Sequence, residues 1–304
     1  MSKSKQIDNY LITKGTLVSE EELVNHFPEI GWNYIHSVLK TRINDGRVLV
    51  KNGKFLWNGD SVVIDGKSQN YKAFTSNAMS YIAVYNTLAI DEKKVKRAVD
   101  YYCKEIASST KWVLANSILY DLCDKYHFHN NPDEIVTKIW LIGRSYAAAI
   151  ERNKKAKNNS GEYYYSTVSP VIIQHGKEID SMIEKLNSIE RITLDNIQTL
   201  LSAQGFLTRV FFSITDQEKR SLASKYLHFH SPQSVFIYDS VAHKTLGKLV
   251  KGNLQSSDFD GDSVDIEYAK YCIRALKLRD YIQAKYNLDL SMRQIDSLLL
   301  RTDV

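Results

Sequence analysis

The sequence predicts a mainly α-helical protein: a small N-terminal domain with one β-hairpin, then a larger all-helical domain. Three observations lead there. Gly and Pro are sparse, at 13 and four in 304 residues, so few positions interrupt a helix. Apolar residues recur at i, i+4 and i+7 over long stretches, the period of an amphipathic helix. One short segment, Arg47 to Trp57, instead alternates about Asn52-Gly53, the residue pair that closes a tight hairpin.

In chain order, residues 1–66 form the predicted first domain. Ser19-Glu-Glu-Glu22 is a capping box that opens a short helix ending at Phe27. Gly31 separates it from a second helix, Trp32 to Asn44, with Ile35, Val38 or Leu39, and Ile43 turned to a core. Asp45-Gly46 is a turn, and the hairpin follows. Helix, helix, hairpin in this spacing resembles a winged helix-turn-helix. Lys40, Arg42, Lys51 and Lys54 are then candidate phosphate contacts; a packing or protein-binding role for the domain stays open. The polar, Gly-containing run from Asn58 to Ala73 reads as a linker.

Residues 67–304 form the predicted second domain. Helices are expected over Ser76–Thr87, Ile90–Ser108 and Lys111–Lys125. Cys123, His127 and His129 lie close together, but their spacing matches no standard metal site, and no metal or cofactor is expected. Asn131-Pro-Asp-Glu134 starts a helix running to Ile150. Its end is rich in small residues, Gly143, Ser145 and Ala147 to Ala149, from which Arg144 and Tyr146 project. That surface suits a pocket wall with Arg144 and Tyr146 on substrate, or a tight helix crossing. The segment from Arg152 to Tyr165 joins a basic loop, Lys154, Lys155 and Lys157, to three aromatics, Tyr163, Tyr164 and Tyr165. Cations for phosphates beside rings for stacking suit nucleic acid; a solvated loop with packed tyrosines is the other reading. Two further helices are expected over Val171–Leu186 and Leu194–Phe212. Asp258-Phe-Asp-Gly-Asp262 fails the calcium-loop test, because its glycine falls too early. A long helix, Val264–Tyr286, and a last one capped by Ser291-Met-Arg-Gln294 complete the chain. His-Phe-His occurs at 127–129 and 228–230, with different flanks, and reads as coincidence.

The stretch from Ala223 to Val250 concentrates the chemistry. Thr215-Asp-Gln-Glu218 reads as a capping box opening a helix. Leu222, Tyr226 and Phe229 share one face of it, as do Ala223, Leu227 and His230, and Pro232 ends it. Val235-Phe-Ile237 is a short apolar run. Asp239 follows at the start of another helix, with Ala242, Leu246 and Leu249 on one face. A carboxylate there is a good N-cap, and the free N–H groups and dipole of the helix also suit a reactive anion.

Ile237-Tyr-Asp-Ser-Val241, with Leu246 and Leu249 beyond it, resembles the catalytic segment of the helix-hairpin-helix DNA glycosylases. The likeness is close over Ala223 to Val250 and loose over residues 70–304. It implies that Asp239 is the catalytic carboxylate of an enzyme that flips a modified base from double-stranded DNA and cleaves its N-glycosidic bond. Ile214 to Arg220, where the family has a Gly-rich hairpin, contains no glycine. The lysine of family members that also cut the strand falls here on Ser221, which implies a monofunctional enzyme. The chain is also similar to a bacterial anti-phage branch that excises glucosylated hydroxymethylcytosine. Lys225, His228, His230 and Tyr238 lie near Asp239 in sequence and are further substrate-binding candidates.

Composition is compatible with this reading. Net charge is +5, from 40 Lys and Arg against 35 Asp and Glu, which permits a nucleic-acid partner. No apolar run approaches a membrane span. The N-terminus lacks the apolar core of a secretory signal, and three cysteines suit a reducing cytoplasm. The alternative to an enzyme is a winged-helix DNA-binding regulator whose helical domain binds a ligand or partner, with Asp239 as a cap.

Overall fold

Ser19 caps the helix its position predicts: its Oγ accepts from the Glu22 N–H, and the Glu22 carboxylate accepts from the Ser19 N–H. The computed structural model describes residues 3–14, 16–44, 48–51, 54–57, 78–107, 112–152, 160–259 and 264–301, with only the backbone at a few of these, Lys40 and Lys51 among them. They fall in two compact units, Met1–Met79 and Ser80–Val304. The expected domain boundary lies in 58–77, outside the described residues.

In the first unit, α1 (Lys3–Lys14), α2 (Glu20–His26) and α3 (Trp32–Asn44) precede an antiparallel hairpin, β1 (Val48–Lys51) and β2 (Lys54–Trp57). The register, Val48↔Trp57 to Lys51↔Lys54, leaves two residues for the turn. Val18 adds one rung to the outer strand, exchanging both backbone bonds with Phe55 at 2.7 Å. Ile7 and Leu11 of α1, Leu23, Ile35, Leu39, Val48 and Phe55 form the core. The first helix was not foreseen. It is tied in by Asp8, whose carboxylate receives two bonds from Arg42, at 3.0 and 2.9 Å.

The second unit holds α4 (Ala78–Thr87), α5 (Glu92–Tyr101), α6 (Val113–Lys125), α7 (Pro132–Ser145), α8 (Ser160–Tyr163), α9 (Ser169–Gln174), α10 (Gly176–Asn187), α11 (Ile197–Thr215), α12 (Arg220–His230), α13 (Ser240–Leu249), α14 (Ile266–Tyr286) and α15 (Met292–Arg301). A two-residue ladder, β3 (Ala89–Ile90) with β4 (Val250–Lys251), clips the start of α5 to the end of α13.

Several expected helices differ in extent. Thr215 to Glu218 does not open a helix. Thr215 ends α11, and Asp216 takes a left-handed conformation (φ 53°) in the turn to α12. The Thr215 hydroxyl donates to the Phe211 carbonyl one turn back, so it closes a helix instead of starting one. The segment expected to run to Ile150 stops at Tyr146, because Ala147 is left-handed (φ 52°). The helix expected over Val171–Leu186 breaks at His175 into α9 and α10. At Gly176 a Cβ would lie 2.4 Å from the His129 carbonyl oxygen, so glycine lets these two segments touch.

The core of this unit is α12, buried on every side from Leu222 to His230 and packed on α6, α7 and α11. A wholly buried helix is normally apolar all round, yet this one carries Ser224, Lys225, His228 and His230. Buried polar groups need partners: Ser224 and His228 find theirs in the segment 231–238, Lys225 at Ser221, Tyr146 and Asp239, and His230 Nε2 has none among the described residues. That segment is buried and non-helical, so its backbone needs side chains to satisfy it. His228 Nδ1–H donates to the Val235 carbonyl (2.8 Å). Tyr268 and Tyr271 of α14 donate to the Phe236 and Ile237 carbonyls (2.6 and 2.8 Å). The Tyr238 N–H donates to Ser224 Oγ (3.0 Å). These bonds hold the chain that delivers Asp239.

Candidate active site

Asp239 is the N-cap residue of α13, and its two oxygens have different occupations. Oδ1 accepts from the Val241 N–H at 2.9 Å. Oδ2 faces the Lys225 ammonium at 3.3 Å, and the side chain is 28% exposed. Lys225 comes from the buried face of α12 and is only 3% exposed. Its Nζ also donates to Ser221 Oγ (2.8 Å) and to the Tyr146 carbonyl (3.3 Å). Burial lowers the pKa of this lysine, and Asp239 pulls it part of the way back. The expected separation of Ser221 from amine chemistry is therefore narrower than the spacing implied, since Lys225, one turn on, reaches back to Ser221.

Tyr146, the C-cap of α7, lies under two cations. Lys225 Nζ is 5.9 Å and the Arg293 guanidinium 5.3 Å from its ring centroid. Its hydroxyl donates to Asn116 of α6. Arg293 in turn binds Asp296 Oδ2 at 3.0 Å. Asp296 is buried, and its Oδ1 has no partner among the described residues. Burial raises its pKa to about 6, against the pull of Arg293 and Lys225. Two cations thus lie over one ring, each paired with a carboxylate, and of the two carboxylates Asp239 is the one that meets solvent.

The remaining sequence candidates fall in several places. Tyr238 is half-buried beside this cluster, with Arg220 over its ring at 5.6 Å and Tyr271 at 5.2 Å. His228 and His230 do not line a surface; α12 turns both into the core. His228 accepts from the Tyr120 hydroxyl at Nε2 (2.8 Å), and burial holds its pKa down at about 4. His230 packs 5.3 Å from His129, so the two His-Phe-His triplets meet. His129 is itself held between Asp180 (2.6 Å) and the Tyr226 hydroxyl (2.8 Å).

Arg144 pairs with Glu151, which also accepts from the Tyr164 hydroxyl. Gly143, in the small-residue surface, packs directly on the Ala149 backbone. Of the three tyrosines, Tyr164 is buried, Tyr163 half-buried, and Tyr165 exposed with its hydroxyl on Asp133 (2.8 Å). Lys154, Lys155 and Lys157 lie outside the described residues, as do the side chains of Lys40 and Lys51. Arg42 is engaged by Asp8, and Lys54 is exposed.

Sequence reasoning missed Asn116, Tyr120, Arg293 and Asp296. One signal for Asp296 existed: Met292, Asp296 and Leu299 share a face of α15, placing a carboxylate among core residues. It also missed an apolar tip at the start of α6, where Trp112 is 65% and Leu114 74% exposed, with Val113 between them and Ile118 a turn on. Trp112 and Val113 lie one turn before Asn116 on the face that leads through Asn116 to Tyr146.

Among the described residues no group of His, Cys, Asp and Glu is arranged to hold a metal ion, and no helix is long and apolar enough to cross a membrane. No family model, curated protein or solved structure matches the chain.

Proposed function

We propose that the chain is a monofunctional DNA N-glycosylase of the helix-hairpin-helix type with an N-terminal winged helix-turn-helix, acting on glucosylated hydroxymethylcytosine or a similarly modified base in anti-phage defence. The observation that carries this is the state of Asp239: a solvent-reaching carboxylate at a helix N-terminus, backed by a buried lysine. The turn between α11 and α12 supports it, since Asp216 adopts the left-handed conformation in which a hairpin glycine is usual. Val18, bridging to the hairpin of the first unit at Phe55, supports the winged helix.

The chemistry follows from the residues. A target base inside the duplex must leave the stack before its glycosidic bond is reached. The exposed tip Trp112 to Leu114, or Tyr165, is the apolar body that fills the vacated space. As the C–N bond breaks, positive charge grows on the sugar. The Asp239 carboxylate stabilises it, or orients the water that captures it. Lys225 lies 3.3 Å from Asp239, placed as its counter-ion and not as a nucleophile. The enzyme therefore leaves an abasic site with the strand intact.

The second reading, a DNA-binding regulator, draws on Asp239 as well: a cap bonded to Val241 and paired with Lys225 is also a structural residue. One experiment separates the two. Duplexes with single modified bases, glucosylated hydroxymethylcytosine among them, are incubated with the protein and then treated with alkali. Breaks that appear only after alkali support the glycosylase. DNA binding with no alkali-labile product on any duplex supports the regulator.

A further inference from the structure

We propose that Asp296 is a positioning residue of the Asp239 site: locked on Arg293, its carboxylate offsets the second cation at the Tyr146 ring and so keeps the Lys225 ammonium on Asp239. This deepens the glycosylase reading and rests on it for its consequence in DNA chemistry, though not for its first test.

The geometry is a chain of alternating charge. Asp296 Oδ2 holds Arg293 at 3.0 Å. Arg293 and Lys225 lie 5.3 and 5.9 Å from the same ring centroid. Lys225 reaches Asp239 at 3.3 Å. Without Asp296, two cations would share one aromatic ring with a single carboxylate, Asp239, paired to Lys225. Lys225 is the cation able to relieve this, because a buried ammonium loses its proton far more readily than a guanidinium. The charged and titratable groups around Asp296 are Arg293 and Arg301 on its own helix, Tyr120 from α6, Tyr146 at the end of α7, Lys225 from α12, Asp239 at the start of α13, and Tyr271 from α14. From the π-helical segment Tyr102–Ile106 that continues α5, Tyr102 reaches α15 at Gln294. Asp296 and Asp239 favour the Lys225 ammonium, and Arg293 and burial oppose it.

A neutral Lys225 would be a different tool. Its amine could add to the C1′ aldehyde of an abasic sugar and expel water to form a C=N bond, the first step of strand cleavage. By holding the proton on Lys225, Asp296 keeps the site to base release alone.

The first test needs no DNA. Wild type and Asp296→Asn are treated with formaldehyde and a mild borane, and methylation of each lysine is followed by peptide mass. The amine and formaldehyde give an imine and water, and the borane reduces the imine, so only the neutral amine reacts. At pH 8, Lys225 is expected to label at least ten-fold faster in Asp296→Asn, with Lys138, a buried lysine that donates to the Tyr126 carbonyl, unchanged. Unchanged Lys225 labelling overturns the proposal, as does an equal rise at Lys138, which would mark general loosening. Where Asn does not fold, Asp296→Glu and Asp296→Gln, alike in size and different in charge, carry the same comparison; only the Gln variant should speed labelling.

The second test uses a duplex with one abasic site and borohydride. Asp296→Asn should give at least ten-fold more trapped protein–DNA adduct than wild type, and adding Lys225→Arg should abolish it. Faster methylation without more trapping keeps the role of Asp296 and counts against the glycosylase reading alone.

Discussion

Asp239 caps α13 with one oxygen and faces Lys225 with the other, so the substitution Asp239→Asn separates its two roles. Asn is as good an N-cap as Asp, and the cap to Val241 survives. The charge does not. If that charge stabilises the sugar, base release in single-turnover kinetics should fall about 100-fold or more, with DNA binding retained and the melting temperature little changed. Near-normal release by the folded variant would sink the catalytic assignment. His228 makes a separate case, where burial sets a pH dependence of stability. Its folded pKa of about 4 lies below the ordinary histidine value. Between pH 6.5 and 4 the unfolded chain therefore binds a proton that the folded chain refuses. The stability from neutral His228 is complete above about pH 6.5 and is lost as pH falls toward 4, by about 3 kcal/mol in all. Burial also lowers the pKa of His129 and His230, giving the same sign, whereas Asp296, raised to about 6, works in the opposite sense. Denaturant unfolding at pH 7.5, 5.5 and 4.5 should show a shallower pH slope in a folded His228→Gln variant than in wild type; equal slopes would contradict the assignment.

At the scale of elements, 231–238 matters most, because a non-helical strip in the core survives only if side chains satisfy its backbone. Tyr268→Phe and Tyr271→Phe each remove one hydroxyl and leave a buried carbonyl, Phe236 or Ile237, without that donor. Each should cost about 1–3 kcal/mol, read as a lower denaturation midpoint at an unchanged m-value. The Tyr271 change should also slow base release, because Ile237 lies two residues before Asp239. A neutral result for both would mean that water replaces the hydroxyls. Local pattern shows where such elements begin and end only when the signal is itself local. Trp32–Asn44 was legible from its periodicity, and Ser19 from its capping box. Thr215-Asp-Gln-Glu218 has the same pattern but closes a helix, since its meaning depends on α11 before it. The α1 helix went unseen because its apolar positions are few, and its anchor, Arg42 on Asp8, comes from 34 residues away. Asp239 could be singled out from its neighbours in sequence. Lys225 is near Asp239 in sequence and pairs with it in the fold, whereas Arg293 and Asp296 reach the site only through tertiary packing.

For the whole molecule, the sequence indicated a largely helical chain with one small hairpin, and the described residues are largely helical with that hairpin and the two-residue β3–β4 ladder. Its surface charge is less easily read, because the net +5 is a small excess of 40 cations over 35 anions and many cations are engaged. Arg42 holds Asp8, Arg144 holds Glu151, and Arg220 holds Asp265. A cation paired within the fold releases little counter-ion on meeting a phosphate, so a count of Lys and Arg overstates affinity for DNA. Three basic residues gathered in one stretch, Lys154, Lys155 and Lys157, are the place to test for phosphate contact. Each contact should contribute roughly −0.9 to the slope of log K against log salt. Replacing all three by Ala should weaken binding to duplex DNA at low salt and make that slope shallower by at least about 1. The control is Lys93, Lys177 and Lys185 to Ala, which removes the same charge from α5 and α10. If both triple variants change the slope alike, net charge governs binding and residues 154–157 touch no phosphate. If only the first does, Lys154, Lys155 and Lys157 hold the backbone. On the glycosylase reading, base release by that variant should then recover at saturating enzyme, because phosphate contacts position the duplex and the proposed chemistry rests on Asp239.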